Sequence, residues 1–374
     1  MEKMKTAVVG CGKISDIFFQ NMINRFEILE VVSCCATKVE HAKEKAEKYG
    51  IRPVTFEEIL ADASIELIVN LTPPEAHYDI IKRALLAGKH VYTEKAMTST
   101  LEEAKELMEI ADEKGLYLAS APDTFLGSSI QTVKKLVESG AIGTITGCHA
   151  SINRDIDKLY PIYRFLTQRG AGIGMDLGIY YLTALCSIMG PVTDVCGMTR
   201  TVRPVRTIHP ENNPEEEVTI EIHNENQMTG TIRFVSGAMG TMNFNGNSIF
   251  PEQPQLILYG TEGIIYMSNA NDFGGTVKLQ KENAKESDIQ TVPGNHGFSS
   301  DSRGVGAADL AWSVRKGIPG RASKEMAYHV MEILKGIEKS MELRQFVEIN
   351  STFALPTLLP EGFTEESKEE GALN

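Results

Sequence analysis

Over the first 120 residues, short apolar runs alternate with longer amphipathic stretches. Residues 6–9, 29–35, 66–71, 90–93 and 116–120 read as strands. Helical periodicity fills the gaps: 14–25, then VEHAKEKAEKYG with a C-cap at Gly50, then a stretch opened by Pro73 and Pro74 and stopping near Gly88. Last comes LEEAKELMEIADEKG, which Ser99 or Thr100 can cap. Strands alternating with helices of about 10–15 residues predict βαβ units and a parallel sheet.

After residue 123 the pattern changes. Helices are expected at 128–139 and 174–189. Strand-like runs then follow at 195–203, 217–223, 228–235, 239–245, 255–259, 263–268 and 275–280, an antiparallel or mixed sheet. Ile232 and Phe234 alternate with Thr231 and Arg233, so one face should cover helices and the other meet solvent or a second subunit. Helical periodicity returns at 305–316 and 323–341, and the end, EGFTEESKEEGALN, reads as a frayed acidic tail. The expected division is 1–122, 123–361 and a tail at 362–374.

Length agrees with that division, since 374 residues exceed one ordinary core. The formal charge of −13 makes nucleic acid and anionic membrane poor partners. No run reaches the roughly 18–20 apolar residues that span a bilayer, and MEKMKTAVVGCG lacks a signal-peptide pattern. Six cysteines without a CxxC suggest buried thiols in a reducing cytoplasm rather than a disulfide frame, and no metal-ligand spacing occurs. Trp312, the only tryptophan, is expected in the core.

VVGCGKISD follows the first strand and opens a helix, the context in which a glycine-rich turn binds a dinucleotide. Gly10 permits the tight turn, and Gly12 lets the backbone approach a pyrophosphate, with Lys13 and Ile14 next to it. Ser15 stands where a third glycine is common. An acid that binds the ribose hydroxyls of NAD is expected about 20 positions on. Ala36, Thr37 and Lys38 stand there instead, which favours NADP over NAD.

Ligands of parallel sheets gather at the carboxyl ends of the strands, where Leu71, Thr72, Glu94 and Lys95 lie. A lysine beside a nicotinamide can hydrogen-bond a reacting hydroxyl and steady the alkoxide. A Glu-Lys pair taken alone is more often a surface pair.

Taken in order, VVGCGKIS, VNLTPPEAH, AGKHVYTEKAMTSTLEEA, GAGIGMDLGIYYLTAL and YGTEG resemble the glucose–fructose oxidoreductase, inositol dehydrogenase and rhizopine-catabolism (Gfo/Idh/MocA) family over nearly the whole chain. The resemblance implies an α/β chain: an N-terminal Rossmann, doubly wound parallel sheet, then a C-terminal α+β domain with an open, mostly antiparallel sheet. It implies hydride transfer between a nicotinamide and a secondary alcohol or ketone of a sugar or cyclic polyol. In the family's Glu-Lys-Pro motif the glutamate holds the nicotinamide ribose and the lysine contacts the reacting hydroxyl. Here the motif is Glu94-Lys95-Ala96. A cis bond before a residue other than proline costs about 3 kcal/mol, so the loop is expected to differ locally. Thr72 and His77 match positions on the nicotinamide side; alternatively, they only cap and satisfy the following helix.

Relatives commonly carry Asp-x-Gly-x-His with the histidine as base. Asp176 and Gly178 match, but Tyr180 takes the histidine's place. Four apart on a helix, Asp176 and Tyr180 share a face. A phenol with a reference pKa near 10 is a poor base, and a neighbouring Lys95 ammonium would favour the phenolate. The expected catalytic set is therefore Lys95, Asp176 and Tyr180, with Tyr180 relaying the proton; packing of Tyr180 against a sugar ring is the alternative. Within NRDIDKLYPIYRFLTQRG, Arg154, Tyr160, Tyr163, Arg164 and Arg169 could reach a hydroxylated or acidic substrate. The expectation is thus a cytoplasmic, homodimeric or homotetrameric NAD(P)-dependent enzyme acting on a small carbohydrate or polyol. The rivals are a non-redox enzyme that retains its dinucleotide and a silent NADP- or sugar-binding protein.

Overall fold

The computed structural model describes residues 2–168, 170–249, 255–267, 269–294 and 297–360. The chain forms two compact units, and neither is contiguous in sequence: 1–131 with 295–328 and 356 onward, and 132–294 with 329–355. The sequence reading drew unbroken domains with a boundary after 122. Contacts instead place 295–328 with the N-terminal residues, because a late helix packs on the first sheet. The expected tail at 362–374 lies outside the described residues.

The first unit holds a six-stranded sheet in the order β3-β2-β1-β4-β5-β6, every pair parallel. Its strands are β1 (Met4–Val9), β2 (Leu29–Cys35), β3 (Arg52–Pro53), β4 (Leu67–Asn70), β5 (His90–Thr93) and β6 (Leu118–Ser120). Its helices are α1 (Ser15–Asn24), α2 (Val39–Tyr49), α3 (Phe56–Ala61), α4 (His77–Leu86) and α5 (Leu101–Glu113). The doubly wound parallel architecture read from the sequence is present. Gly50 ends α2 at φ 70°, and Thr100, rather than Ser99, caps α5 through a reciprocal box with Glu103. Phe18, Met22, Val69 and Tyr92 are fully buried; a buried side chain of this size stabilises by about 1.5–3 kcal/mol.

Helix α8 (Val305–Lys316) completes this unit against β5 and β6. Arg315 on α8 donates to both Glu66 carboxylate oxygens at 2.7 Å and reaches the carbonyls of Glu2 and Lys3. Trp312 on α8 is only half-buried, with the Lys316 ammonium 5.2 Å from the ring centroid, so it is not the core residue expected.

The second unit is built on a nine-stranded sheet, β16-β15-β14-β13-β7-β12-β11-β8-β17, antiparallel except where β7 pairs with β12. Its central strand β7 (Ile145–Asn153) was not expected. The others are β8 (Val192–Arg200), β11 (Gln227–Phe234), β12 (Met239–Asn245), β13 (Gln255–Gly260), β14 (Gly263–Met267), β15 (Val277–Lys281), β16 (Gln290–Val292) and β17 (Val347–Glu348). The run expected at 217–223 is β10 (Val218–Glu221), which pairs with β9 (Val205–Ile208) in a separate ribbon. Helix α6 (Ser128–Glu138) runs into this unit. Its buried Lys134 donates to the Ser187 carbonyl of α7 (Ile179–Met189) at 2.9 Å. Helix α9 (Lys324–Leu343) supplies Ile337, which lies close to Gly197 and Gly230 on the sheet. Ile232 and Phe234 are buried while Thr231 and Arg233 are exposed, so the helices cover one face of the sheet. The opposite face shows Met198 and Met239. All six cysteines are free thiols; five are buried and Cys196 is half-buried.

Candidate functional site

The carboxyl ends of β1, β2, β4 and β5 bring the glycine-rich turn together with the Glu94-Lys95 segment. Gly10 takes φ +104°, and its N–H donates to the Cys35 carbonyl at 2.9 Å. A Cβ on Gly10 would lie 2.7 Å from the Leu71 carbonyl carbon and 2.8 Å from the Thr72 nitrogen. Only glycine fits both the dihedral and that approach. A Cβ on Gly12 would meet nothing within 4 Å, so this stretch of backbone is open. Lys13 and Ile14 are exposed beside it. Ser15 is buried and returns its hydroxyl to the Gly12 carbonyl at 2.7 Å, which tightens the turn as it enters α1. Beyond β2, Ala36 is half-buried while Thr37 and Lys38 are exposed; Lys38 precedes α2 in extended conformation.

Asn70, at the end of β4, was not foreseen. Its amide donates to Thr93 Oγ1 at 3.0 Å and its Oδ1 accepts the Thr72 hydroxyl at 2.7 Å, tying two strand ends together. Thr72 therefore does not cap the next helix. His77 is fully buried, with Nδ1 2.7 Å from the Ala96 carbonyl oxygen and Nε2 2.8 Å from that of Thr72. It clamps the two loops instead of serving its own helix. Burial, the largest influence, holds its pKa below the ordinary histidine value against the pull of both carbonyls.

Glu94 and Lys95 are half-buried, and Glu94 Oε2 accepts the Lys95 N–H at 3.2 Å. The Lys95–Ala96 peptide is cis. The local departure expected from the missing proline is therefore corrected: alanine occupies the cis position, with its carbonyl on His77. Asp123 follows the cis Ala121–Pro122 bond, and its Oδ2 accepts the N–H groups of Gly304 and Gly306, both at 3.0 Å. Burial raises its pKa to about 6, and the Glu94 charge adds to that rise. Nothing in the local sequence marked Asp123, since its partners lie about 180 residues away.

In the second unit, Asp176 and Tyr180 occupy a glycine-rich bend. Residues Gly174–Gly178 form a π-helical turn that runs into α7. Asp176 is half-buried in that turn and Tyr180 is buried in the first turn of α7. Their four-residue spacing thus does not run along the uninterrupted α-helix expected at 174–189, because a π turn bonds each residue to the fifth along. A Cβ on Gly172 would collide with the Glu225 carboxylate, so the glycine admits that carboxylate against the bend. Glu225 Oε1 accepts the Gly174 N–H at 3.1 Å and its carbonyl accepts that of Ile173 at 3.0 Å. Burial and the nearby Glu338 push the Glu225 pKa up to about 7, against Lys335. Sequence reasoning missed Glu225 as well.

The substrate candidates divide. Tyr163 and Arg164 are exposed at a 3-10 turn (Arg164–Thr167), and Arg154 is half-buried. Tyr160 is fully buried, which corrects the expectation that it reaches a ligand. Arg169 lies outside the described residues. Among the described residues no three metal-capable side chains cluster, and no helix is long and apolar enough to cross a membrane.

Comparison with known proteins adds the family. Residues 4–121 match the model described as oxidoreductase family, NAD-binding Rossmann fold, and 130–266 match the Gfo/Idh/MocA C-terminal domain. An uncharacterized oxidoreductase of Schizosaccharomyces pombe is 30% identical over 57% of this chain and 59% of its own. The scyllo-inositol 2-dehydrogenase (NADP(+)) IolW of Bacillus subtilis is 27% identical over 51% of this chain and 53% of its own. The match thus spans little more than half of these curated relatives, one named an oxidoreductase and the other a dehydrogenase. Levoglucosan dehydrogenase, solved with NADH and L-sorbose, shares the fold at a TM-score of 0.80 and 20% identity, over 94% of this chain and all of the other. With both domain models matched in order on a parallel Rossmann sheet and a mostly antiparallel second sheet, the chain belongs to the Gfo/Idh/MocA oxidoreductase family.

Proposed function

We propose that this chain is an NAD(P)-dependent oxidoreductase that interconverts a secondary alcohol and a ketone on a sugar or cyclic polyol. The observation that carries the reading is the convergence at the carboxyl edge of the first sheet: Gly10 seated on the Leu71–Thr72 backbone, and the Glu94-Lys95 turn clamped by His77. The residues present fit a dinucleotide. Gly10, Gly12, Lys13 and Ile14 would cradle the pyrophosphate at the α1 N-terminus. Leu71, Thr72 and Glu94 would flank the nicotinamide ribose, and the fully buried His77 would hold the Thr72 and Ala96 backbone behind them rather than touch it. Ala36, Thr37 and Lys38, with no carboxylate among them, suit a 2′-phosphate, so NADP is favoured over NAD. The named relatives include one NADP enzyme and one solved with NADH.

When bound, the nicotinamide supplies the hydride acceptor or donor. Lys95 would hydrogen-bond the reacting hydroxyl and favour its alkoxide. Tyr180 would relay the proton, and Asp176 would orient the substrate. Tyr163 and Arg164 would contribute at the substrate's edge. The exposed face of the nine-stranded sheet would serve a homodimer or homotetramer.

A thermal-shift comparison of NADP with NAD, followed by a polyol screen with the better one, tests the reading. Stabilisation by NADP with turnover of a polyol is expected; no stabilisation by either dinucleotide overturns it. Tyr180→Phe should abolish turnover and keep the dinucleotide-induced shift, whereas near-normal turnover removes the proton relay. Turnover without net change in nicotinamide absorbance would point to transient oxidation followed by re-reduction.

A further inference from the structure

A groove of about 370 Å³ opens wholly within the second unit. That volume lies in the lower part of the range for small-molecule pockets. Leu177 and Tyr181 line it, each the residue after one of the pair Asp176 and Tyr180, so the groove adjoins the bend that carries the proposed chemistry. Ile152 and Leu159 add apolar surface, and Asn153, Arg154, Asp155, Lys158, Asn269 and Asn271 add polar groups, with the Asp155 carboxylate engaged by Lys158.

The polar groups are unevenly satisfied. The Tyr181 hydroxyl donates to Asn269 Oδ1 at 3.0 Å, and the Asn271 N–H donates to the same oxygen at 3.1 Å. That fixes the Asn269 amide, whose own N–H groups find no acceptor among the described residues. Burial pushes the Tyr181 pKa upward, so the phenol stays a neutral donor. Lys158 is matched by Asp155 at 3.3 Å. Arg154 is not matched. The residue is half-buried and its backbone is held on both sides, N–H to the Asn245 carbonyl and carbonyl to the Ser248 N–H, while its guanidinium has no hydrogen bond or ion pair among the described residues. The chain carries 50 acids against 37 bases, so an unpaired cation in a groove stands out against its surroundings. Partial burial of a charge without a partner is unfavourable unless a ligand restores the pairing.

A fixed amide, a phenol and an aromatic floor suit hydroxyl groups, and an unpaired guanidinium suits a planar carboxylate or a phosphate. We propose that this groove binds the anionic end of a hydroxylated substrate, a sugar acid or sugar phosphate, and that Arg154 determines that specificity. The inference rests on the reading of the Asp176–Tyr180 bend as the place where the alcohol is oxidised.

The test is isothermal titration of the full chain, with and without NADP. The probes are D-glucuronate, D-galacturonate, D-gluconate, D-glucose 6-phosphate and myo-inositol 1-phosphate, each against its neutral counterpart. At least one acid should bind wild type about tenfold to hundredfold more tightly than its neutral partner, the range of a hydrogen bond to a charged group. Arg154→Gln should reduce that ratio to about one while leaving the NADP-induced thermal shift intact. A carboxylate response without a phosphate response, or the reverse, identifies the anion. Neutral sugars binding wild type as tightly as every acid, no binding by any acid, or an unchanged ratio in Arg154→Gln overturns the proposal. Absence of an NADP-induced shift in wild type counts against the enzymatic reading instead, because the titration without NADP judges the groove alone.

Discussion

Each unit holds a glycine-rich bend and a carboxylate with a raised pKa, yet the two bends are enforced differently. At Gly10 an added Cβ meets backbone, the Leu71 carbonyl carbon 2.7 Å away, at a dihedral other residues rarely adopt. At Gly172 the nearest atoms it meets are those of the Glu225 carboxylate. Backbone anchored at a strand end, with the Leu71 N–H on the Val9 carbonyl, cannot withdraw, whereas a carboxylate can swing aside. The acids of the two units differ as well. Asp123 is fully buried and accepts two backbone N–H groups, and Glu225 accepts one. The first unit is therefore held by main-chain fit, and the bend of the second by a titratable side chain.

The comparison is tested most severely at Gly10. Gly10→Ala should abolish the dinucleotide-induced thermal shift and lower the melting temperature, whereas Gly172→Ala should lower it far less; equal losses in calorimetry would erase the distinction. Asp123→Ala leaves two buried N–H groups without an acceptor and should cost about 3 kcal/mol in chemical denaturation. A smaller effect separates the acids by pH. Both carboxyl pKa values are raised in the fold, to about 6 for Asp123 and about 7 for Glu225, so each favours folding while protonated. That stability is complete below the unfolded values of 3.8 and 4.5 and is lost as pH rises through the folded ones. These two carboxyls thus contribute a loss of stability between about pH 4 and 7, which His77, His90 and His329, with pKa values held by burial below the ordinary histidine value, oppose. Glu225→Gln should remove the part lost near 7 and leave the part lost near 6, as read by melting temperature against pH. The smallest change is Thr100→Ala, which removes the α5 cap and should cost about 1 kcal/mol wherever the pH is set.

The first sheet was legible because its strands are short apolar runs and its helix ends carry local signals, such as Thr100 with Glu103. Strand β7 was not. Its buried positions include the small Cys148 and Ala150, and the alternate positions hold Gly147, His149 and Ser151. Its identity comes from pairing with β12 and β13, roughly 90 to 120 residues later. The same reason hid Asn70, Asp123 and Glu225, whose roles depend on partners far along the chain or on another strand. The glycine turn and the Glu94-Lys95 segment were readable because their chemistry is local. The cis peptide at Ala96 was not, since the residue that signals one is absent.

The return of α8 to the first sheet has a consequence for biosynthesis. A ribosome releasing this chain completes all six parallel strands by Ser120, yet the helix that packs on β5 and β6, with the arginine that reaches back to Glu2 and Lys3, emerges only with residues 305–316. Until then the nascent half exposes an unfinished apolar surface, the circumstance in which chaperones are engaged and in which expressing residues 1–122 alone should yield an aggregating fragment.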